Sequence, residues 1–203
     1  MIVVWQSRHI DSTNDHVQGR VFNEDGSAAT SEFTIWSGAG SQSNPVVSCW
    51  GSTACLTCFE DSTDIRCVRV SNAGVVGIDF ILNSITAGTQ SLPQIMVIRN
   101  SFLFAIWETS TNNGDIDTRS VWLSTGGGIS SMTDQCVACT PSPEVKPSLA
   151  VVESTVYVSY LYGATMRIAK MRIPSTVIRH IDVSPNTCTS AVIGIVGSSW
   201  IGA

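Results

Sequence analysis

The sequence predicts an all-β protein, a β-propeller of about four blades in which each blade is a sheet of four antiparallel strands. Three observations predict it. Ser, Thr, Gly and β-branched residues dominate while Lys, Glu, Ala and Leu are scarce, a balance that favours strands joined by turns over helices. A set of ordered landmarks recurs with a period of roughly 50 residues. Each recurring unit divides into four short apolar stretches separated by polar turns, which is the pattern of a propeller blade.

The landmarks run in a fixed order. Gln42-Ser43-Asn44-Pro45 returns as Gln90-Ser91-Leu92-Pro93 and as Glu144-Val145-Lys146-Pro147. An aromatic residue follows each proline on an apolar strand: Phe59, Trp107 and Tyr160, with Trp5 as the matching residue of the first unit. After a polar loop comes a strand carrying Arg20, Arg69, Arg119 or Arg172. Glycine turns follow in three units: Asn23–Gly26, Ser71–Gly74 and Ser124–Gly127. The fourth unit has Ile173-Pro174-Ser175 at that place. The units are 1–41, 42–89, 90–143 and 144–187, followed by a closing strand within 188–203, all in one domain.

In the second unit the four strands are expected near Val46–Trp50, Leu56–Glu60, Ile65–Val70 and Val76–Leu82. The chain opens on a second strand, Ile2–Trp5, and ends with a first-strand-like segment, Ala191–Val196. Three strands at one end and one at the other make a further blade, so the ring is expected to close by the two ends sharing a sheet. The rival geometry is a larger or tandem propeller, with Trp200–Ala203 opening a fifth unit.

Composition narrows the function. Charged residues are 13% against 43% hydrophobic, which excludes a disordered chain. A net charge of −5 without Lys/Arg runs argues against nucleic acid as a partner. No apolar run reaches the length that crosses a membrane as a helix, so no membrane insertion is expected. Seven cysteines point to an oxidising, extracellular or cell-surface location. No leader precedes Ile2, so either a signal has been removed or this is a segment of a longer chain.

Val3-Val4-Trp5-Gln6, then Gly19-Arg20-Val21-Phe22-Asn23-Glu24-Asp25-Gly26, Glu32-Phe33 and Gln42-Ser43-Asn44-Pro45 carry a family resemblance. This run resembles the tandem repeats of very large secreted and surface proteins of the RTX and adhesin type. The resemblance is good over the first unit, partial over the third, at Ile106-Trp107-Glu108 and Asp115–Arg119, and faint in the fourth. It implies an extracellular scaffold or adhesive role and transfers no catalytic residue.

Several side-chain sets are candidate sites. Acidic loops follow the aromatic strands: Asp11 and Asp15, then Glu60, Asp61 and Asp64, then Glu108, Asp115 and Asp117. The loop Asn112–Asp117 is the best single candidate for calcium, through Asn113, Asp115 and Asp117, against the simpler reading of solvated turns. No other cofactor is expected. Disulfides are a better reading of the cysteines than zinc, because the C-x-x-C pairs Cys55/Cys58 and Cys136/Cys139 lie far apart in sequence. Cys49 with Cys55, and Cys58 with Cys67, flank turns and suit bridge geometry, with connectivity left open. Trp36 and Trp122 are the candidates for exposed, sugar-stacking rings, set against core packing. His9, His16 and His180 do not form a nucleophile–base pattern with any elbow motif.

The expected function is therefore a non-catalytic extracellular structural or adhesive module that self-associates or binds surface proteins. The alternative is a carbohydrate-binding or glycosidase-type propeller with glycans as partners.

Overall fold

The Q/E-x-x-P motif explains how each sheet begins. The computed structural model describes residues 1–8, 14–52, 54–110, 114–125, 134–172, 178–183, 188–189, 193–196 and 199–202. In all three copies the third motif residue has a positive φ: Asn44 at 51°, Leu92 at 50° and Lys146 at 56°. Each copy also breaks the register of the strand pair it lies in, between Ser43 and Val46, Ser91 and Gln94, and Val145 and Ser148. The motif is thus a β-bulge inside the first strand. Its proline fits because a bulge on an edge strand needs no ladder donor there.

Four antiparallel sheets follow one another along the chain. The first contains β1 (Ile2–Arg8), β2 (Asp15–Val21) and β3 (Phe33–Trp36), in that order. The second runs β4 (Gln42–Trp50), β5 (Ala54–Asp61), β6 (Asp64–Ser71) and β7 (Val76–Ile81). The third runs β8 (Thr89–Ile98), β9 (Phe102–Ser110), β10 (Ile116–Ser124) and β11 (Gln135–Ala138). The fourth runs β12 (Glu144–Val152), β13 (Thr155–Tyr162), β14 (Thr165–Arg172) and β15 (Ile178–Asp182). A two-stranded hairpin, β16 (Ile193–Val196) with β17 (Ser199–Gly202), ends the series.

The sheets stack face to face, so central strands such as β5, β9 and β13 bury both of their faces and split their residues by parity. On β5 and β6, Phe59, Val68 and Val70 meet Val17 and Ile35 of the first sheet. The alternate residues Cys58, Ile65 and Cys67 meet Leu103, Ala105 and Trp107 of the third. Phe104 and Ile106 then meet Val156, Val158 and Tyr160 of the fourth. Ala150, Leu161, Met166 and Ile168 receive Ile193 of the terminal hairpin. Four cores therefore mark four sheet-to-sheet junctions. The aromatic of the second strand always faces the preceding sheet: Phe59, Trp107 and Tyr160 are each fully buried there. Burying each such ring contributes roughly 1.5–3 kcal/mol.

The terminal strands differ from the expected shared sheet. β16 pairs with β17 and packs on the fourth sheet, and no sheet among the described strands contains both β1 and β16. The hairpin occupies the place that the first two strands of a following unit would take.

Three cysteine pairs stand at disulfide distance. Cys49–Cys55 and Cys58–Cys67 join residues directly opposite each other on β4/β5 and β5/β6, and Cys136–Cys139 spans the end of β11. Cys188 lies outside these pairs.

Leu92 is the one motif residue at positive φ without a polar side chain, and an aliphatic residue is costly in that region. Leu92→Asn is expected to stabilise the chain by about 0.5–1 kcal/mol, since Asn tolerates the left-handed conformation far better. Urea unfolding read as a midpoint shift at constant slope checks this; an unchanged or lower midpoint contradicts it.

Candidate functional site

The polar residues of the repeat gather at the seams between sheets. Gln42, Gln90 and Glu144, the first motif residues, are all buried, at 0%, 1% and 0% exposure. Each ties down the segment just before it or its neighbour. Gln42 donates to the Gly40 carbonyl at 3.0 Å and to Asp61 at 3.1 Å. Gln90 donates to the Ala87 carbonyl at 3.2 Å and accepts from Asn83 at 3.4 Å. Glu144 accepts from the Thr140 hydroxyl at 2.5 Å, and burial pushes its carboxyl above the ordinary value.

The bulges are then bolted to the sheet before them. The Leu92 amide, turned outward by the bulge, donates to Glu60 at 2.7 Å. The Lys146 amide donates in the same way to Glu108 at 2.5 Å. Glu60 also receives the Ser43 hydroxyl at 2.6 Å and the Asn44 amide group at 2.8 Å. Glu108 is only 8% exposed, and burial raises its pKa. Glu60 and Glu108 therefore lie within β5 and β9, one residue past the aromatic, rather than in loops.

A second line of contacts runs through arginines. The residues paired with the aromatics are Gln18 opposite Trp5, Arg66 opposite Phe59, Arg119 opposite Trp107 and Arg167 opposite Tyr160. Of the four arginines read as equivalent from sequence, only Arg119 holds this position; Arg20, Arg69 and Arg172 pair with Val3, Leu56 and Thr155. Sequence spacing misaligned them because the loop before this strand changes length between units. Arg66 bridges Asp61 at 2.6 Å and Asp79 at 2.5 Å and covers the Trp36 ring at 4.4 Å. Arg119 pairs with Asp117 at 3.0 Å, and Arg167 with Asp182 at 2.6 Å while lying 3.7 Å over Tyr162.

A cleft of about 290 Å³ opens between the third and fourth sheets, lined by Cys136, Cys139, Thr140, Tyr160, Arg167 and His180. The Tyr160 hydroxyl lies 2.7 Å from His180 Nδ1. Burial lifts Tyr160 to about 12, and burial followed by the Arg167 charge lowers His180. At neutral pH both partners are thus uncharged, and the imidazole tautomer sets which of them donates. The pair ties β15 to β13 across β14. A larger cavity of about 380 Å³ lies between the first two sheets beside Met1, Phe22, Cys49 and Cys55.

The sequence-predicted residues fall as follows. Asp117 is 6% exposed and held by Arg119, and Asp115 accepts the Ile116 amide at 3.1 Å. Asp15 is bound by Arg8 and Gln6, which hold its carboxyl below the usual range, and Asp64 accepts from Asn83 at 2.7 Å. Among the described residues no three acidic, His or Cys side chains converge in a geometry that could hold a metal ion. Asn113, with His9, Asp11, Asn112, Gly126–Gly127 and Ile173–Ser175, lies outside the described residues. Trp36 is half-buried under Arg66, and half-buried Trp122 stands 4.2 Å from Phe104. Both rings pack against a seam. No helix among the described residues is long and apolar enough to cross a membrane.

Searches against protein-family models and against curated proteins return no match. Among solved structures, the chain is similar to a propeller-like region of a prolyl endopeptidase, with TM-score 0.52 and 12% identity. The likeness covers 95% of this chain and 29% of that one, so the chain spans less than a third of its length. At this identity the likeness shows the fold alone.

Proposed function

We propose that this chain is a non-catalytic structural or adhesive propeller module of an extracellular or cell-surface protein, acting by self-association or by binding other surface proteins. One observation carries the reading: the recurrent polar residues are spent on the chain's own framework, Glu60 and Glu108 holding one sheet to the next and Gln42, Gln90 and Glu144 holding the segments just before them. Gln42, Gln90, Glu60, Glu108 and Glu144 all bond backbone or neighbouring side chains of the seams. What repeats in this sequence is therefore assembly, as the resemblance to surface-protein repeats would have it. Three cysteine pairs at bridging distance suit an oxidising exterior. Closure of the propeller, with the open first sheet gaining a first strand from a terminal segment, belongs to the same reading because it would leave no bare inner edge.

Light scattering with intact-mass spectrometry tests it, alongside a glycan array and model glycosides. Association in solution, or capture by isolated surface proteins, supports the module. Hydrolysis of a glycoside, or a monomer that engages only glycans, would replace it with the carbohydrate reading.

A further inference from the structure

We propose that the cleft between the third and fourth sheets is a covalent binding site for small thiols that carry a carboxylate, which open the Cys136–Cys139 bridge by exchange. Such a site is independent of self-association and adhesion.

The three bridges differ in what can reach them. An attacking thiolate must come within bonding distance of a sulfur, so burial protects a bridge. Cys58 and Cys67 are both fully buried. In the Cys49–Cys55 bridge Cys55 is 1% exposed, and no Arg, Lys or His side chain lines the cavity beside it. In the third bridge Cys136 is exposed and Cys139 half-buried, and both line the cleft. Val137 and Ala138, the residues between them, are 1% and 4% exposed within the core shared with the fourth sheet. Those two residues anchor the bridge at the cleft wall.

The cleft also supplies a positive charge. Among the described residues Arg167 is the one ionised side chain lining it, since burial keeps His180 neutral and Tyr160 protonated at neutral pH. Two acids stand near: Glu144 accepts from Thr140 at 2.5 Å, and Asp182 meets Arg167 at Nε, at 2.6 Å. Asp182 is 64% exposed, so its pair with Arg167 is a weak surface pair that a ligand carboxylate can share or displace. Of the charges acting on Tyr160 and His180, that of Arg167 weighs most. A guanidinium suits a carboxylate through its planar fork. At about 290 Å³ the cleft lies at the small end of ligand pockets, which suits a small thiol.

With its carboxylate on Arg167, the ligand's thiolate attacks Sγ of Cys136, the more exposed residue of the pair. A new S–S bond forms as the Cys136–Cys139 bond breaks, and the electron pair leaves on Cys139 as a thiolate beside the Arg167 charge. One disulfide replaces another, so no outside oxidant or reductant takes part, and the protein gains the mass of one thiol. The bridge spans only three residues, so opening it removes little restraint and leaves the sheets folded.

The test is intact-mass spectrometry and peptide mapping on the whole chain, with mercaptoacetate, mercaptoethanol and cysteamine as anionic, neutral and cationic probes. Iodoacetamide in the quench traps Cys139 before it can return. Each rate is divided by that of the same thiol with a small neutral disulfide, which removes differences in intrinsic reactivity. Mercaptoacetate is expected to open Cys136–Cys139 before either other bridge and to leave its adduct on Cys136. On the corrected scale it is expected to react about threefold or more faster than cysteamine, a preference that shrinks in about 1 M salt. Arg167→Gln is expected to abolish the preference and Arg167→Lys to keep it, with melting curves showing that both variants fold. Earlier opening of Cys49–Cys55, or an adduct confined to another cysteine, would overturn the site. Equal corrected rates for the three probes, or a preference that survives both salt and Arg167→Gln, would overturn the choice of carboxylate-bearing thiols.

Discussion

Trp107→Ala is expected to destabilise the chain by about 3–5 kcal/mol, the largest loss of any single seam residue. Trp107 is fully buried between the second and third sheets, against Cys58, Cys67, Leu82 and Leu103. Neighbours held in two hydrogen-bonded sheets, one of them stapled by Cys58–Cys67, have little freedom to collapse into the void. For a chain of 203 residues this corresponds to a melting point lower by roughly 10 °C or more. Trp107→Phe is a useful contrast. The indole N–H meets no acceptor among the described residues, so the phenyl ring loses volume but also removes an unsatisfied polar group. Its cost is expected at less than half that of alanine. Calorimetry on both variants decides; equal losses would mean that ring volume is not what fills this seam.

Glu108→Ala is expected to cost about 1–3 kcal/mol by stranding the Lys146 amide, whereas Glu108→Gln keeps an acceptor and is expected to stabilise at neutral pH. The pH dependence gives the sign. Burial raises the Glu108 carboxyl above its unfolded value of 4.5, so the folded state holds this proton more tightly than the unfolded chain. The stability contributed is full below about 4.5 and is lost as pH rises through the folded pKa. Glu144 shifts in the same direction for the same cause. Wild-type melting is thus expected to fall as pH rises from about 4.5 toward neutrality, and Glu108→Gln to flatten that slope. A slope identical in the two proteins would show that Glu108 does not carry a raised pKa.

Much of the sheet structure was legible because hairpins write themselves locally. Val76–Leu82 and Ile65–Val70 anticipate β7 and β6 to within a residue or two, since apolar stretches and turn residues mark both ends. The pairs Cys49/Cys55 and Cys58/Cys67 were legible as candidates for the same reason: each flanks a turn short enough to set its own register. The Gln-x-x-Pro recurrence was visible, but its meaning was not. A bulge is a relation between two strands, and only pairing shows that Asn44 and Leu92 turn left-handed. Glu60 and Glu108 looked like loop acids because their partners are main-chain amides, which leave no trace in residue identity. Arg66 and Arg167 were passed over for Arg69 and Arg172 because loops of unequal length shift the numbering while register does not. Trp36 and Trp122 stood open between exposed rings and core packing because strand alternation gives no way to know that both faces of a sheet are covered.

The two bridges in the second sheet have a mechanical consequence for a protein held at both ends. Cys49–Cys55 and Cys58–Cys67 close segments six and nine residues long on successive hairpins. If load pulls the sheets apart, those segments stay folded back on themselves, withholding roughly 50 Å of contour length until a thiol opens them. The third bridge withholds far less, spanning three residues. In an oxidising setting the second sheet therefore releases less chain under tension than it would with those bridges reduced.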